Sequence, residues 1–141
     1  MKITLTRRNK ACHFVAENEN GNTIDIDCAP DLGGENKGFR PMQLLAAGAG
    51  GCSVIDIITI LKKQRQLLDD IKVEVRAERE KGKSPSLFTD MHLHYILKGN
   101  LDKKKVEKAI DLTLKNYCSV TKTLEKTAKI TYTYEIHPTV S

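Results

Sequence analysis

The sequence predicts an α+β fold. Period-two alternation of apolar residues marks strands near both ends of the chain, a single glycine-rich apolar stretch of helical length lies between them, and the elements do not alternate strand and helix as βαβ units would. Residues 2–28 read as a strand meander: Ile3 and Leu5 alternate, His13 to Ala16 form a second run, and a polar turn at 17–22 leads to Ile24 and Ile26. Residues 29–38 concentrate Gly, Pro, Asp and Asn and predict a loop. Pro41 suits a first helical turn, where its missing N–H has no partner to lose, and the apolar run continues to Leu61 before Lys62, Lys63 and Arg65 close the helix with charge that suits its C-terminus.

At helical spacing Leu45, Gly48, Cys52, Ile55 and Thr59 share one face of this helix, and the Thr59 hydroxyl is expected to bond a carbonyl one turn back. Gly48, Gly50 and Gly51 each cost up to about 1 kcal/mol relative to alanine in a helix, so they imply close backbone contact or room beside the Cys52 sulfur. Residues 71–79 and 88–97 predict a hairpin with Met91, Leu93, Tyr95 and Leu97 on one face. Asp102 caps a helix with Val106, Ala109, Ile110 and Leu114 on one stripe, Cys118 precedes a short helix through Leu124, and 130–136 form the last strand. One thin sheet from so short a chain cannot cover an apolar helix of about twenty residues, so a homodimer is expected.

The 141 residues, 40% of them hydrophobic, suit a single domain spanning 1–141. The first residues lack the unbroken apolar stretch of a secretory signal, and no later run is expected to span a membrane, which implies a cytoplasmic protein with thiols reduced at rest. The four cysteines, at 12, 28, 52 and 118, contain no C-x-x-C pair, which argues against a zinc knuckle or thioredoxin motif. A static disulfide is not expected in that compartment, and Cys12 and Cys28 read as packing residues. The net charge of +5 is interspersed and accompanied by no tryptophan, so it reads as a solvated surface and not as a nucleic-acid site. His92 and His94 share a strand face without a third ligand nearby and read as polar partners; no metal or cofactor is expected.

Cys52 ends a tight apolar run and Cys118 stands at a predicted helix start, where partial positive charge favours a thiolate. The string Pro41-Met42-Gln43-Leu44-Leu45-Ala46-Ala47 leading to Cys52, with Cys118 before a late short helix, resembles the OsmC/Ohr family of thiol-dependent peroxidases from about residue 1 to 137. The resemblance implies an intertwined homodimer, with antiparallel sheets around two long central helices and active sites at the subunit interface. It also implies reduction of organic, including fatty-acyl, hydroperoxides: Cys52 attacks the O–O bond and becomes a sulfenic acid, and Cys118 condenses with it to a disulfide. An external dithiol, lipoyl or another thiol, then reduces that disulfide.

Family peroxidases carry a glutamate just after the helix-start proline, paired with an arginine from the N-terminal strands. Here Met42 and Gln43 follow the proline, Arg8 matches the arginine with Arg7 beside it, and Glu35 or Asp56 is left to supply the carboxylate. Asp56 beside an unpaired thiolate would disfavour that thiolate. Ser119 stands where such proteins often have proline. The alternative reading is a divergent protein of the same fold that binds or senses a small apolar ligand.

Overall fold

The computed structural model describes residues 1–140, whose contacts gather into two units, Met1–Leu45 and the described residues from Ala46 onward, with the boundary inside the long helix. The first unit is an antiparallel meander of β1 (Thr4–Arg7), β2 (Phe14–Glu17) and β3 (Thr23–Ile26), in which Thr4 faces Glu17 and Phe14 faces Ile26. Asn18 builds the β2–β3 turn by accepting from the amides of Asn20 and Asn22 at 3.0 and 2.9 Å, and Gly21 supplies the positive φ of 84° that the turn needs. Arg7 holds the β1–β2 turn through the carbonyls of Lys10 and Ala11.

Asp27 organises the following loop. It is 1% exposed, and its carboxylate accepts from the amides of Cys28 (2.9 Å), Glu35 (2.9 Å) and Lys37 (3.1 Å). Those bonds, that from Glu35 foremost, hold its carboxyl below the usual aspartate range. A Cβ on Gly34 would fall 1.8 Å from the Cys28 carbonyl oxygen, so this close return of the loop admits only glycine. The sulfurs of Cys12 and Cys28 are bonded. This corrects the expectation of two packing thiols: the turn after β1 and the end of β3 bring Cα atoms 16 residues apart in sequence to 5.8 Å, within disulfide reach.

The long helix α1 runs Pro41–Lys63. Gln43 Oε1 accepts from the Arg40 amide at 2.9 Å, the reciprocal half of a capping box. Its C-terminus closes at Arg65, with φ of 59°, while the Gln66 amide bonds the Leu61 carbonyl at 2.9 Å. Within the second unit the buried stripe of α1 is Ala49, Gly50, Ser53, Ile57 and Leu61. The face that carries Cys52 lies beside this stripe: Ile55 is 64% exposed and Thr59 is exposed, and the Thr59 hydroxyl donates to the Ile55 carbonyl at 2.9 Å, as expected. The glycines divide. A Cβ on Gly50 would lie 3.0 Å from Val75 Cγ2, so Gly50 lets the helix close on side chains of a strand, whereas one on Gly51 would meet nothing within 4 Å. By length and mean hydropathy (2.0) α1 is also apolar enough to cross a membrane, contrary to the expectation that no run would be, because its Leu, Ile and Val residues outweigh the Gly, Ser, Thr and Asp interspersed among them.

The second sheet has the order β4 (Asp70–Arg79), β5 (Phe88–Lys98), β6 (Lys129–His137). β5 is central, and Met91, Leu93, Tyr95 and Leu97 are fully buried on one face, as the alternation predicts. β4 and β5 form the expected antiparallel hairpin, but β6 pairs with β5 in parallel, so this sheet is mixed and not wholly antiparallel. The cause is the helical crossover between them: α2 (Lys103–Leu112), a π-type turn (Thr113–Tyr117) and α3 (Ser119–Leu124) return the chain in its original direction. Asp102 caps α2 by accepting from the Lys105 amide at 3.1 Å. The hydroxyls of Tyr132 and Tyr134 on β6 donate to Asp111 (2.8 Å) and Glu107 (2.5 Å) of α2, and burial first, then these carboxylates, push both phenols up to about 12. His92 and His94 are polar partners of β6: His92 bonds Thr131 and Thr133 at 2.8 and 2.9 Å, and His94 bonds Thr133 at 2.6 Å.

Candidate active site

Cys52 sits in the middle of α1, half-buried, and Cys118 is fully buried as the residue before α3. The π-type turn sets the second thiol. Its wider loop lets the Cys118 amide donate to the Thr113 carbonyl five residues back at 2.8 Å; Thr113, three residues after Ile110, takes the buried place on the α2 stripe where Leu114 is expected, and Leu114 is half-buried. Cys118 then leaves the helical path with φ −74° and ψ 101°.

The two thiols meet. The sulfurs of Cys52 and Cys118 and a carboxylate oxygen of Asp56 all lie within 4.8 Å of one another. Asp56 arrives there because it is one helical turn beyond Cys52 on the same face. Cys118 does not have the lowered pKa expected of a helix start: burial pushes its thiol up, and the neighbouring Thr121 offsets this only in part. A six-residue helix has too small a dipole to outweigh desolvation.

Three further side chains surround the pair, none of them evident from the sequence. Tyr95 is fully buried behind Cys118 with no hydrogen-bond partner for its hydroxyl, and burial raises its phenol well above its ordinary value, so it stands as a neutral donor. Ser53 lies beside it but spends its hydroxyl on the Gly50 carbonyl at 2.9 Å. The Thr121 hydroxyl donates to the Cys118 carbonyl at 3.2 Å. Asp56 opens on its other side to a cavity of about 440 Å³, lined also by Thr59, Ile60, Lys63, Leu112 and Tyr117.

Arg8 and Glu35 belong to the first unit, where both are exposed. The Arg8 amide donates to the His13 carbonyl at 2.8 Å, and Glu35 accepts from Asn9 at 3.2 Å. Gln43, which follows Met42 where the resemblance places a glutamate, is occupied as the cap of α1. Among the described residues a second group, Cys12, Asp27 and Cys28, also brings three donor atoms together, but its sulfurs are bonded to each other and its carboxylate is filled by three amides.

This fold has counterparts among known proteins. Residues 34–133 match the family profile described as OsmC-like protein. The chain belongs to the OsmC-like protein family. It is 39% identical to Protein YhfA of Escherichia coli (strain K12) over 124 residues, which cover 87% of this chain and 89% of YhfA. A solved structure of a hypothetical protein from Aquifex aeolicus VF5 superposes with a TM-score of 0.85 at 29% identity, covering 99% of this chain and 97% of its own. The organic hydroperoxide resistance protein OhrB of Bacillus subtilis has the same fold, with a TM-score of 0.69 at 20% identity over 96% of this chain and 98% of its own. Two three-stranded sheets with helices are the OsmC-like architecture, and the α+β expectation stands.

Proposed function

We propose that this OsmC-like protein is a cysteine-based peroxidase that reduces organic hydroperoxides, with Cys52 peroxidatic and Cys118 resolving. The observation that carries this reading is the approach of a half-buried thiol to a fully buried one within 4.8 Å, both unbonded. The half-buried partner meets the substrate and the enclosed partner waits for the product of that encounter. The Cys52 thiolate attacks the distal peroxide oxygen, the O–O bond breaks and the alkoxide leaves to be protonated as alcohol. Cys118 then displaces hydroxide from the sulfenic acid, closing a disulfide before further oxidation, and an external dithiol returns both thiols. The apolar surroundings of the helix favour an organic over an inorganic peroxide.

The same reading includes a cytoplasmic homodimer. The exposed apolar residues of α1, Ile55 (64%) and Ile58 (44%) among them, are the surface that a second copy would cover. Arg8, with Glu35, is assigned the anion-holding role on the strength of the resemblance alone. The test is turnover: the reduced protein with cumene hydroperoxide and dihydrolipoamide, measured as alcohol formed per protein. Multiple turnovers that vanish in Cys52→Ser support peroxidase activity. Consumption no faster than by free cysteine would leave the ligand-binding reading in its place, with hydrophobic probe binding near α1 as its signature.

A further inference from the structure

The resolving step needs a proton acceptor that the steps above do not name. Cys118 is fully buried, the nucleophile must be its thiolate, and burial pushes that thiol above its reference value of 9.0. Its proton has no direct path to bulk water. The groups facing it are the Tyr95 phenol, kept protonated by burial, the Thr121 hydroxyl, already donating to the Cys118 carbonyl, Cys52, which is the electrophile, and Asp56. Asp56 alone offers a free acceptor: its Oδ2 is buried, has no hydrogen-bond partner, and belongs to a carboxylate within 4.8 Å of both sulfurs. Leaving a buried carboxylate oxygen unpartnered is unfavourable, which calls for a use at that point.

We propose that Asp56 is the general base of disulfide closure, receiving the Cys118 proton as Cys118 attacks Cys52. This rests on the peroxidase reading only for the identity of the leaving group. The S–O bond of the Cys52 sulfenic acid breaks and the S–S bond forms. Cys118 sulfur is oxidised by one electron and Cys52 sulfur is reduced by one. The proton held by Asp56 passes to the departing hydroxide and gives water. The arrangement also resolves a conflict, because a carboxylate beside a thiolate is a like-charge pair, whereas a carboxylate beside a neutral sulfenic acid is not. On its open side Asp56 shares its cavity with Lys63 and Tyr117, which gives water a route to the carboxylate.

The experiment separates this role from peroxide chemistry. In a Cys12→Ser/Cys28→Ser background, dithionitrobenzoate reacts first with Cys52, and Cys118 then attacks the mixed disulfide, releasing a second thionitrobenzoate. That leaving group needs no proton, so the second phase reports removal of the Cys118 proton alone. Asp56→Asn is expected to slow the second phase ~100-fold or more at neutral pH, the range for loss of a general base. The deficit should shrink as pH rises and Cys118 ionises unaided, and Asp56→Glu should recover part of the rate. The parent should also show a normal solvent isotope effect on this phase, a readout that survives should the variant not fold. A second phase unchanged in Asp56→Asn, a slowing by the same factor at every pH, or no isotope effect in the parent would overturn the proposal. If the phase slows as expected while cumene hydroperoxide leaves Cys52 unreacted, the peroxidase reading fails and the role of Asp56 toward Cys118 stands.

Discussion

The Cys118 amide donates to the Thr113 carbonyl at 2.8 Å across a π-type turn, and through that bond the end of the α2 segment delivers a buried thiol to the middle of α1. An ordinary helical turn would place residue 118 at a different angle, since each residue added to a turn shifts those after it by about 100°.

The burial of Cys118 predicts its reactivity. With its thiol pushed above 9.0, the thiolate fraction at neutral pH is smaller than that of an ordinary cysteine. Iodoacetamide at neutral pH should therefore label Cys52 well before Cys118 in the native protein, and the difference should collapse in urea. Equal native labelling would show that Cys118 is not enclosed as described.

The exposed apolar side of α1 predicts self-association. Ile55 is 64% exposed and makes little of the protomer's own core, so Ile55→Arg should leave the far-ultraviolet circular dichroism unchanged while shifting sedimentation from dimer to monomer. A wild-type monomer at micromolar concentration would contradict the dimer.

Asp27 predicts an acid limit for the first unit. Its carboxyl is held below the unfolded value of 3.8 by backbone amides, so its contribution is present above that value and is lost as pH falls through the lower folded one. The stability difference between wild type and Asp27→Asn, followed by thermal unfolding, should be constant from pH 7 to about 5 and narrow below about 4. A difference that does not change with pH would mean that the carboxylate charge is not what the three amides recognise.

Much of the fold was legible in the sequence because its signals were periodic. The alternation of Met91, Leu93, Tyr95 and Leu97, the Pro41 helix start and the Asp102 cap each state a local preference that the tertiary structure keeps. What escaped depends on pairing between distant segments. The parallel register of β6, the bond between Cys12 and Cys28 and the packing of Gly50 on Val75 are set by partners that no local pattern names. Which face of α1 the protomer buries was not legible because apolar and small residues surround that helix, so periodicity alone does not choose a side. At the site, Cys52 and Cys118 were visible as candidates, whereas Tyr95 carried only a core signal, and the unpartnered oxygen of Asp56 is a property of the folded arrangement.

The most direct test of the central claim is disulfide mapping after one equivalent of cumene hydroperoxide is added to the fully reduced protein. The account predicts a Cys52–Cys118 disulfide in wild type and, in Cys118→Ser, a Cys52 sulfenic acid that proceeds to sulfinic acid with excess oxidant. Oxidation confined to Cys12 and Cys28, with Cys52 and Cys118 recovered as thiols, would contradict it.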